Sequence, residues 1–404
     1  MWQDIFAVDS AFTNSSDRMA ANPLYLKRRW QLLSRRRPHY GKRMELTRKK
    51  YLSLRVELLK RQFKLPSPDL LSLKNLSLND TPQEDPVNER FVNNGSFRGV
   101  HQIFDGHSQA ITRLTFGKSS SKSLLASSLD GNISTVQDLR VFQTQPSFLK
   151  PSLNDGIHSF DLSESDEVLI IAEENSLILR DSTSGKILRN ISDISAFAVR
   201  FLPLNNNFFA CLLRSGEVAV MNISTGKFAS SSPVPGRPTS VALLGSLLWV
   251  ANDSGVVESF KLNPNTGKIQ KGCRMHTQGP INGMDAISWR GNSILLVNQR
   301  SESGKDFFIC YRVVDDFGSI VPFKTFDSES RSKICSSIFA PQSGLIAAGA
   351  EDGSLVLYDL NRDGKAIVNQ LHGHLEPVIA VAFSNDEAYM ATADSSGQII
   401  VWKK

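Results

Sequence analysis

The stretch Leu371-His372-Gly373-His374, with Val378-Ile379-Ala380-Val381-Ala382-Phe383, Tyr389-Met390-Ala391-Thr392-Ala393 and Gln398-Ile399-Ile400-Val401-Trp402 after it, decides the fold. Three short runs of β-branched, small and aromatic residues are cut by Ser, Asn, Asp and Gly, the form of three antiparallel strands joined by tight turns. The preceding stretch repeats the form as Leu345–Ala350, an Asp352-Gly353 turn and Leu355–Tyr358, with the aspartate six residues before the aromatic. Near the other end of the β-rich region lie Asp105-Gly106-His107, Ile111–Phe116, Leu124–Leu129 and Asp130, itself six residues before Val136.

Aligning the third run of every unit places Val136, Arg180, Met221, Phe260, Tyr311, Tyr358 and Trp402 in one register, with successive gaps of 44, 41, 39, 51, 47 and 44 residues. Seven units result, and the mean spacing falls within the roughly 40–45 residues of a four-stranded propeller blade. A second marker runs in step. Gly185, Gly226, Gly267, Gly318 and Gly364 each follow a third run by a few residues. A glycine there supplies positive φ for the turn into an outer strand. The lysines after four of these glycines do not make phosphate loops, because no glycine stands five residues upstream and no Ser or Thr follows the lysine.

The pattern resembles the WD-repeat family: a Gly-His dipeptide, three strands, and an aromatic closing the third. The resemblance implies an all-β fold, a seven-bladed β-propeller spanning 98–404. It implies structural roles within blades for His107, Asp130, Asp352, Tyr358, His374 and Trp402. In that family the histidine hydrogen-bonds toward a turn aspartate and a Ser or Thr. Asp130 with Ser128 is the expected set for His107. His374 has Ser396 at the turn position, with Thr392 and Asp394 close by. The last unit stops on its third strand, so 100–104 is expected to supply the missing fourth by pairing with 399–403, removing an open seam.

Before this region the chain changes character. Residues 1–65 hold 16 Lys/Arg against 5 Asp/Glu, a local net charge of +11, whereas the remainder carries 30 against 35, a net of −5. The overall +6 and the pI near 9.1 therefore describe an N-terminal arm and not the body. That excludes reading the whole molecule as a basic nucleic-acid-binding domain. Leu26, Trp30 and Leu33, and then Leu52, Val56, Leu59 and Phe63, recur at helical spacing, predicting a basic α-helical extension broken near Pro38 and Gly41. Residues 66–97, with Pro66, Pro68, Pro82 and Pro86 among acidic residues, read as a linker.

Lys27, Arg28, Arg29, Arg35, Arg36, Arg37, Lys42, Arg43, Arg48, Lys49 and Lys50 form the densest basic clusters. Two groups four residues apart, Lys42-Arg43 and Arg48-Lys49-Lys50, have the form of a bipartite nuclear-import signal. The readings weighed for the arm are contact with an import receptor, with an acidic partner or nucleic acid, with a membrane surface, and a solvated face behind a docked apolar stripe. Import is favoured, nucleic acid is not, and no membrane partner is expected.

No run approaches the ~20 apolar residues of a membrane span, and the first residues lack the basic and apolar regions of a secretory signal. Cys211, Cys273, Cys310 and Cys335 lie far apart, as expected of free buried thiols in a reducing compartment. His39, His101, His107, His158, His276, His372 and His374 show no metal-ligand spacing. Glu173-Glu174, Asp315-Asp316 and Glu351-Asp352 fall in predicted turns, where neighbours point apart and make poor acid/base pairs. No catalytic residue, cofactor or metal is expected. Asp138-Leu139-Arg140 has the Asp-x-Arg form used by WD-repeat adaptors of cullin ubiquitin ligases. It lacks the preceding Trp, carries Gln137 there, and sits one residue late in register.

Further segments sharpen the resemblance. They are Leu26, Arg28-Arg29 and Gln31-Leu32-Leu33 in the arm, followed there by Tyr51-Leu52, Leu54-Arg55 and Leu58-Leu59. In the body they are Val220–Lys227, Leu247–Trp249, Tyr311–Asp315, Val368-Asn369 with Leu371, and Ile400–Trp402. They are similar to a nuclear or nucleocytoplasmic, non-enzymatic group within the WD-repeat family. The resemblance implies a nuclear regulatory scaffold that binds proteins on the top face of the propeller. The alternatives are a ubiquitin-ligase substrate receptor and a nucleic-acid binder acting through the arm.

Overall fold

The computed structural model describes residues 97, 99–141, 146–149, 156–277, 279–300, 306–327, 334–362 and 366–404. The predicted helical arm and the linker, apart from Phe97, lie outside the described residues. Among the described residues every regular element is a β-strand, and the strands form seven four-stranded antiparallel sheets.

A strand β1 (Gly99–Asp105) precedes the first complete blade. Blade 1 is β2 (Ile111–Phe116), β3 (Leu124–Ser128), β4 (Ile133–Val136) and β5 (Ser147–Leu149). Blade 2 is β6 (Ser159–Leu162), β7 (Val168–Ala172), β8 (Ser176–Asp181) and β9 (Ile187–Ser192). Blade 3 is β10 (Ala196–Phe201), β11 (Phe208–Leu213), β12 (Glu217–Asn222) and β13 (Phe228–Pro233). Blade 4 is β14 (Pro238–Leu244), β15 (Leu247–Asn252), β16 (Val256–Leu262) and β17 (Ile269–His276). Blade 5 is β18 (Ile281–Trp289), β19 (Asn292–Arg300), β20 (Asp306–Val313) and β21 (Ile320–Asp327). Blade 6 is β22 (Ile334–Phe339), β23 (Leu345–Ala350), β24 (Ser354–Asp359) and β25 (Ile367–His372). The last sheet joins β26 (Val378–Phe383), β27 (Tyr389–Asp394) and β28 (Gln398–Lys403) to β1, in the order β1-β28-β27-β26. Val100 lies opposite Trp402, Ile103 opposite Ile400 and Phe104 opposite Ile399.

Burial follows from the stacking. A second strand such as β11, β23 or β27 is buried at every position, because both faces of its blade are covered by neighbouring blades. Such strands read as unbroken apolar runs. Outer strands lie at the rim, and β9 is exposed or half-exposed throughout. The core is therefore a set of inter-blade seams. One gathers Leu212 and Val220 with Val241, Leu248 and Phe260. Another sets Phe308 of blade 5 edge-on to Tyr358 of blade 6, ring centroids 4.9 Å apart. Each such fully buried large side chain contributes on the order of 1.5–3 kcal/mol.

All seven register residues sit on third strands and are buried. In six sheets the pairing with the fourth strand slips by one residue beside that position, at Arg180, Met221, Phe260, Tyr311, Tyr358 and Trp402. An extra residue there raises the local twist of the rim. The glycines of the turns that follow behave as the sequence requires: Gly185, Gly226, Gly267 and Gly318 have φ of 68°, 68°, 67° and 79°. Gly364 lies outside the described residues.

The cysteine reading needs correction. None of the four is in a disulfide, but only Cys211 and Cys310 are buried. Cys273 is exposed on outer strand β17, and Cys335 is half-buried in the wall of the central channel. Rim and channel strands each leave one side uncovered, which period alone does not reveal.

Candidate functional site

Loops entering the innermost strands, and turns between second and third strands, share one face of the ring, which carries both Gly-His dipeptides. In the last blade a single relay crosses the sheet. Trp402 Nε1–H donates to Thr392 Oγ1 at 2.9 Å, Thr392 Oγ1 lies 2.7 Å from His374 Nε2, and His374 Nδ1 lies 2.8 Å from Asp394 Oδ2. A neutral imidazole protonated on Nδ1 satisfies every member. Burial alone pushes the Asp394 carboxyl up, but the hydrogen bonds it accepts from His374, Ser396 and the Gln398 N–H hold it below the usual carboxylate range. Blade 1 repeats the arrangement without an indole. His107 Nδ1 lies 3.0 Å from Asp130 Oδ2, and His107 Nε2 lies 2.8 Å from Ser134 Oγ.

One partner differs from the sequence expectation. Ser134 on the third strand, not Ser128, meets His107, because Ser128 Oγ donates to the Gln109 carbonyl and accepts the Asp130 N–H. In the last blade Thr392 and Asp394 serve His374 as expected, and Ser396 Oγ at the turn position donates to Asp394 at 2.7 Å. Asp352 holds its own turn by accepting the Ser354 N–H and hydroxyl, and Tyr358 packs in the seam between blades 5 and 6.

The inner strands β2, β6, β10, β14, β18, β22 and β26 line a central channel of about 520 Å³. Each inner strand is a sheet edge, so its outward N–H groups need acceptors. Inner-strand side chains supply them from the blade before. Ser159 Oγ accepts Val199 N–H, Asp161 Oδ2 accepts Phe201 N–H at 2.7 Å, Ser240 Oγ accepts Met284 N–H, and Asp285 Oδ2 accepts Phe339 N–H at 2.8 Å. These bonds staple neighbouring blades around the channel.

Three cations share the channel with these carboxylates. Arg113 Nη2 reaches Asp161 Oδ1 at 3.4 Å, and Lys118 Nζ lies 3.9 Å from Asp161 Oδ2 and 3.1 Å from Glu164 at the rim. Arg200 donates to Ser159 Oγ at 3.2 Å and to the Val199 carbonyl at 2.7 Å. Enclosure and the neighbouring Arg113 charge lower Arg200 to about 9. Asp161, which burial alone would raise, is held low by Lys118, Arg113 and Arg200, whereas burial pushes Asp285 up to about 6. Sequence reading missed this cluster. The available signal was a single charge inside four of the inner strands, β2, β6, β10 and β18, as in Phe160-Asp161-Leu162 and Val199-Arg200-Phe201.

Of the other predicted features, Arg140 forks onto Asp138, with Nη2 to Oδ2 at 2.6 Å, and draws that carboxyl down to about 2, while Leu139 between them is buried. Glu173 is buried beneath the turn whereas Glu174 is half-buried, so this pair does point apart. Glu174 bridges blades 2 and 3 on the Gly-His face through His158 at 2.7 Å and Arg214 at 3.2 Å. The arm clusters from Lys27 to Lys50 lie outside the described residues.

The seven four-stranded sheets make a seven-bladed β-propeller, two of whose blades carry Gly-His relays. The family model "WD domain, G-beta repeat" matches residues 365–403, the unit on which the fold was read. Among solved structures, the β-propeller domain of Cps50 (Swd1) from Myceliophteria thermophila is similar in fold. It has a TM-score of 0.63 at 17% identity, over 76% of this chain and 99% of that one.

Proposed function

We propose that this protein is a non-enzymatic protein-interaction scaffold, nuclear and regulatory, that binds peptide segments of its partners on the Gly-His face. The observation that carries this reading is the face itself. Buried relays fix its loops, while Leu129 and Leu375, on adjacent blades, present exposed apolar side chains. Rigid loops with isolated apolar anchors suit partner recognition. The finer assignment, to transcription or chromatin-associated complexes, rests on the resemblance of the arm and body segments to WD repeat-containing protein 13.

Affinity purification of the whole chain with partner identification tests the reading. Leu129→Asp with Leu375→Asp should lose the recovered partners while keeping the thermal midpoint. An unchanged partner set removes the face from the proposal. Recovery of a cullin-linker subunit would identify a ubiquitin-ligase receptor instead. Alanines at Arg35–Arg37, Lys42, Arg43 and Arg48–Lys50 should shift a tagged protein out of the nucleus, and an unaltered distribution would count against import through the arm.

A further inference from the structure

The central channel carries an electrostatic mismatch that the stapling of the ring does not explain. Arg113, Lys118 and Arg200 line it against only Asp161 and Asp285. Both carboxylates already give an oxygen to a main-chain N–H of the next blade. Among the described residues no carboxylate comes within 4 Å of Arg200, whose bonds go to a hydroxyl and a carbonyl. Arg113 meets Asp161 through one terminal nitrogen, and its Nε is buried without an acceptor. Arg113 and Arg200 are half-buried, and a guanidinium partly enclosed by protein is stable when its donors are met, its planar fork suiting a carboxylate or a phosphate.

We propose that the central channel is an anion-binding site in which Arg113 and Arg200 hold one phosphate or carboxylate group, with Lys118 at the mouth. The placement of the cations supports this beyond their number. Arg200 and Asp161 occupy the same register position of neighbouring inner strands, opposite Ala210 and Ile170 of their second strands, and Arg113 projects from the blade before. Arg113 reaches Asp161 at 3.4 Å and Arg200 lines the same channel, so an entering anion meets both cations. The enclosed volume accommodates such a group with part of the molecule that carries it. The anion can come from a free phosphate compound or from an acidic side chain of a peptide inserted into the channel.

The test uses the full chain. Its thermal midpoint is followed against inorganic phosphate, with sodium chloride at matched ionic strength as reference. In parallel, a fluorescent pentapeptide with one central Glu is titrated by polarisation. Phosphate should raise the midpoint in a saturable way that chloride does not reproduce. Arg113→Gln and Arg200→Gln should each weaken the apparent affinity about tenfold or more, and Asp285→Asn should tighten it severalfold. The basic arm is unchanged in these variants, so any phosphate bound there cancels in the comparison. Should Arg200→Gln fail to fold, Arg113→Gln and Asp285→Asn, moving in opposite directions, decide the matter. Saturable binding of phosphate alone assigns a free anion, and binding of the peptide assigns an acidic side chain. The proposal is overturned if neither probe binds above the chloride reference, or if wild type, Arg113→Gln and Asp285→Asn respond alike.

Discussion

Thr392 is the node of the last-blade relay, serving both the indole of Trp402 and the imidazole of His374. Thr392→Val keeps the shape and leaves a buried N–H and a ring nitrogen unmet. Each orphaned group costs about 1–3 kcal/mol, so a loss of roughly 2–4 kcal/mol is expected. For a body of this size the thermal midpoint should fall by roughly 5–10 °C. In a double-mutant cycle with Trp402→Phe the two losses should be smaller together than their sum, because they share one bond. Asp285 behaves oppositely. Its carboxyl, facing Arg113 and Arg200 across the channel, titrates near 6 in the folded protein against 3.8 for the free side chain. The folded state thus holds the proton more tightly. The cost of ionising Asp285 is fully felt above pH 6 and is relieved as pH falls toward 4. Asp285→Asn can still accept the Phe339 N–H, so it should stabilise the protein at pH 7.5 by on the order of 1–3 kcal/mol, with the gain gone near pH 4. Chemical denaturation at both pH values checks the sign.

At the scale of elements, β1 is the strand on which closure depends. It buries Val100, Gln102 and Phe104 and covers the edge of β28. Deleting 98–105 should lower the midpoint by more than ~10 °C and induce concentration-dependent association through the bared edge. Light scattering and calorimetry read both effects, and an unmoved midpoint would show that the ring does not rely on this strand. The third strands and their turns were legible in the sequence because one residue per blade, from Val136 to Trp402, is buried at a fixed step from a turn. The histidine partners were only half legible. Ser128 and Ser134 are both close in sequence to Asp130, and strand direction, which spacing does not encode, chooses Ser134. The channel cluster was illegible for a related reason. Arg113, Asp161, Arg200 and Asp285 come from four blades, and only ring closure makes them neighbours.

For the whole molecule, charge separates along the chain. Residues 66–404 carry a net −5 and residues 1–65 a net +11. Removing 1–65 should therefore abolish retention on a cation exchanger at pH 7, and retention that persists would mean the body presents a basic face of its own. The pairing of β1 with β28 has a further consequence, in time. Asp105 and Gln398, joined side chain to side chain at 2.8 Å, are 293 residues apart. At about 5–20 residues per second, a ribosome needs about 15–60 s to traverse that interval. Throughout it, the apolar face of β1 has been made and its partner has not. The nascent ring must spend that interval open, so its exposure to chaperones and to premature pairing is set by synthesis rate rather than by the stability of the finished fold.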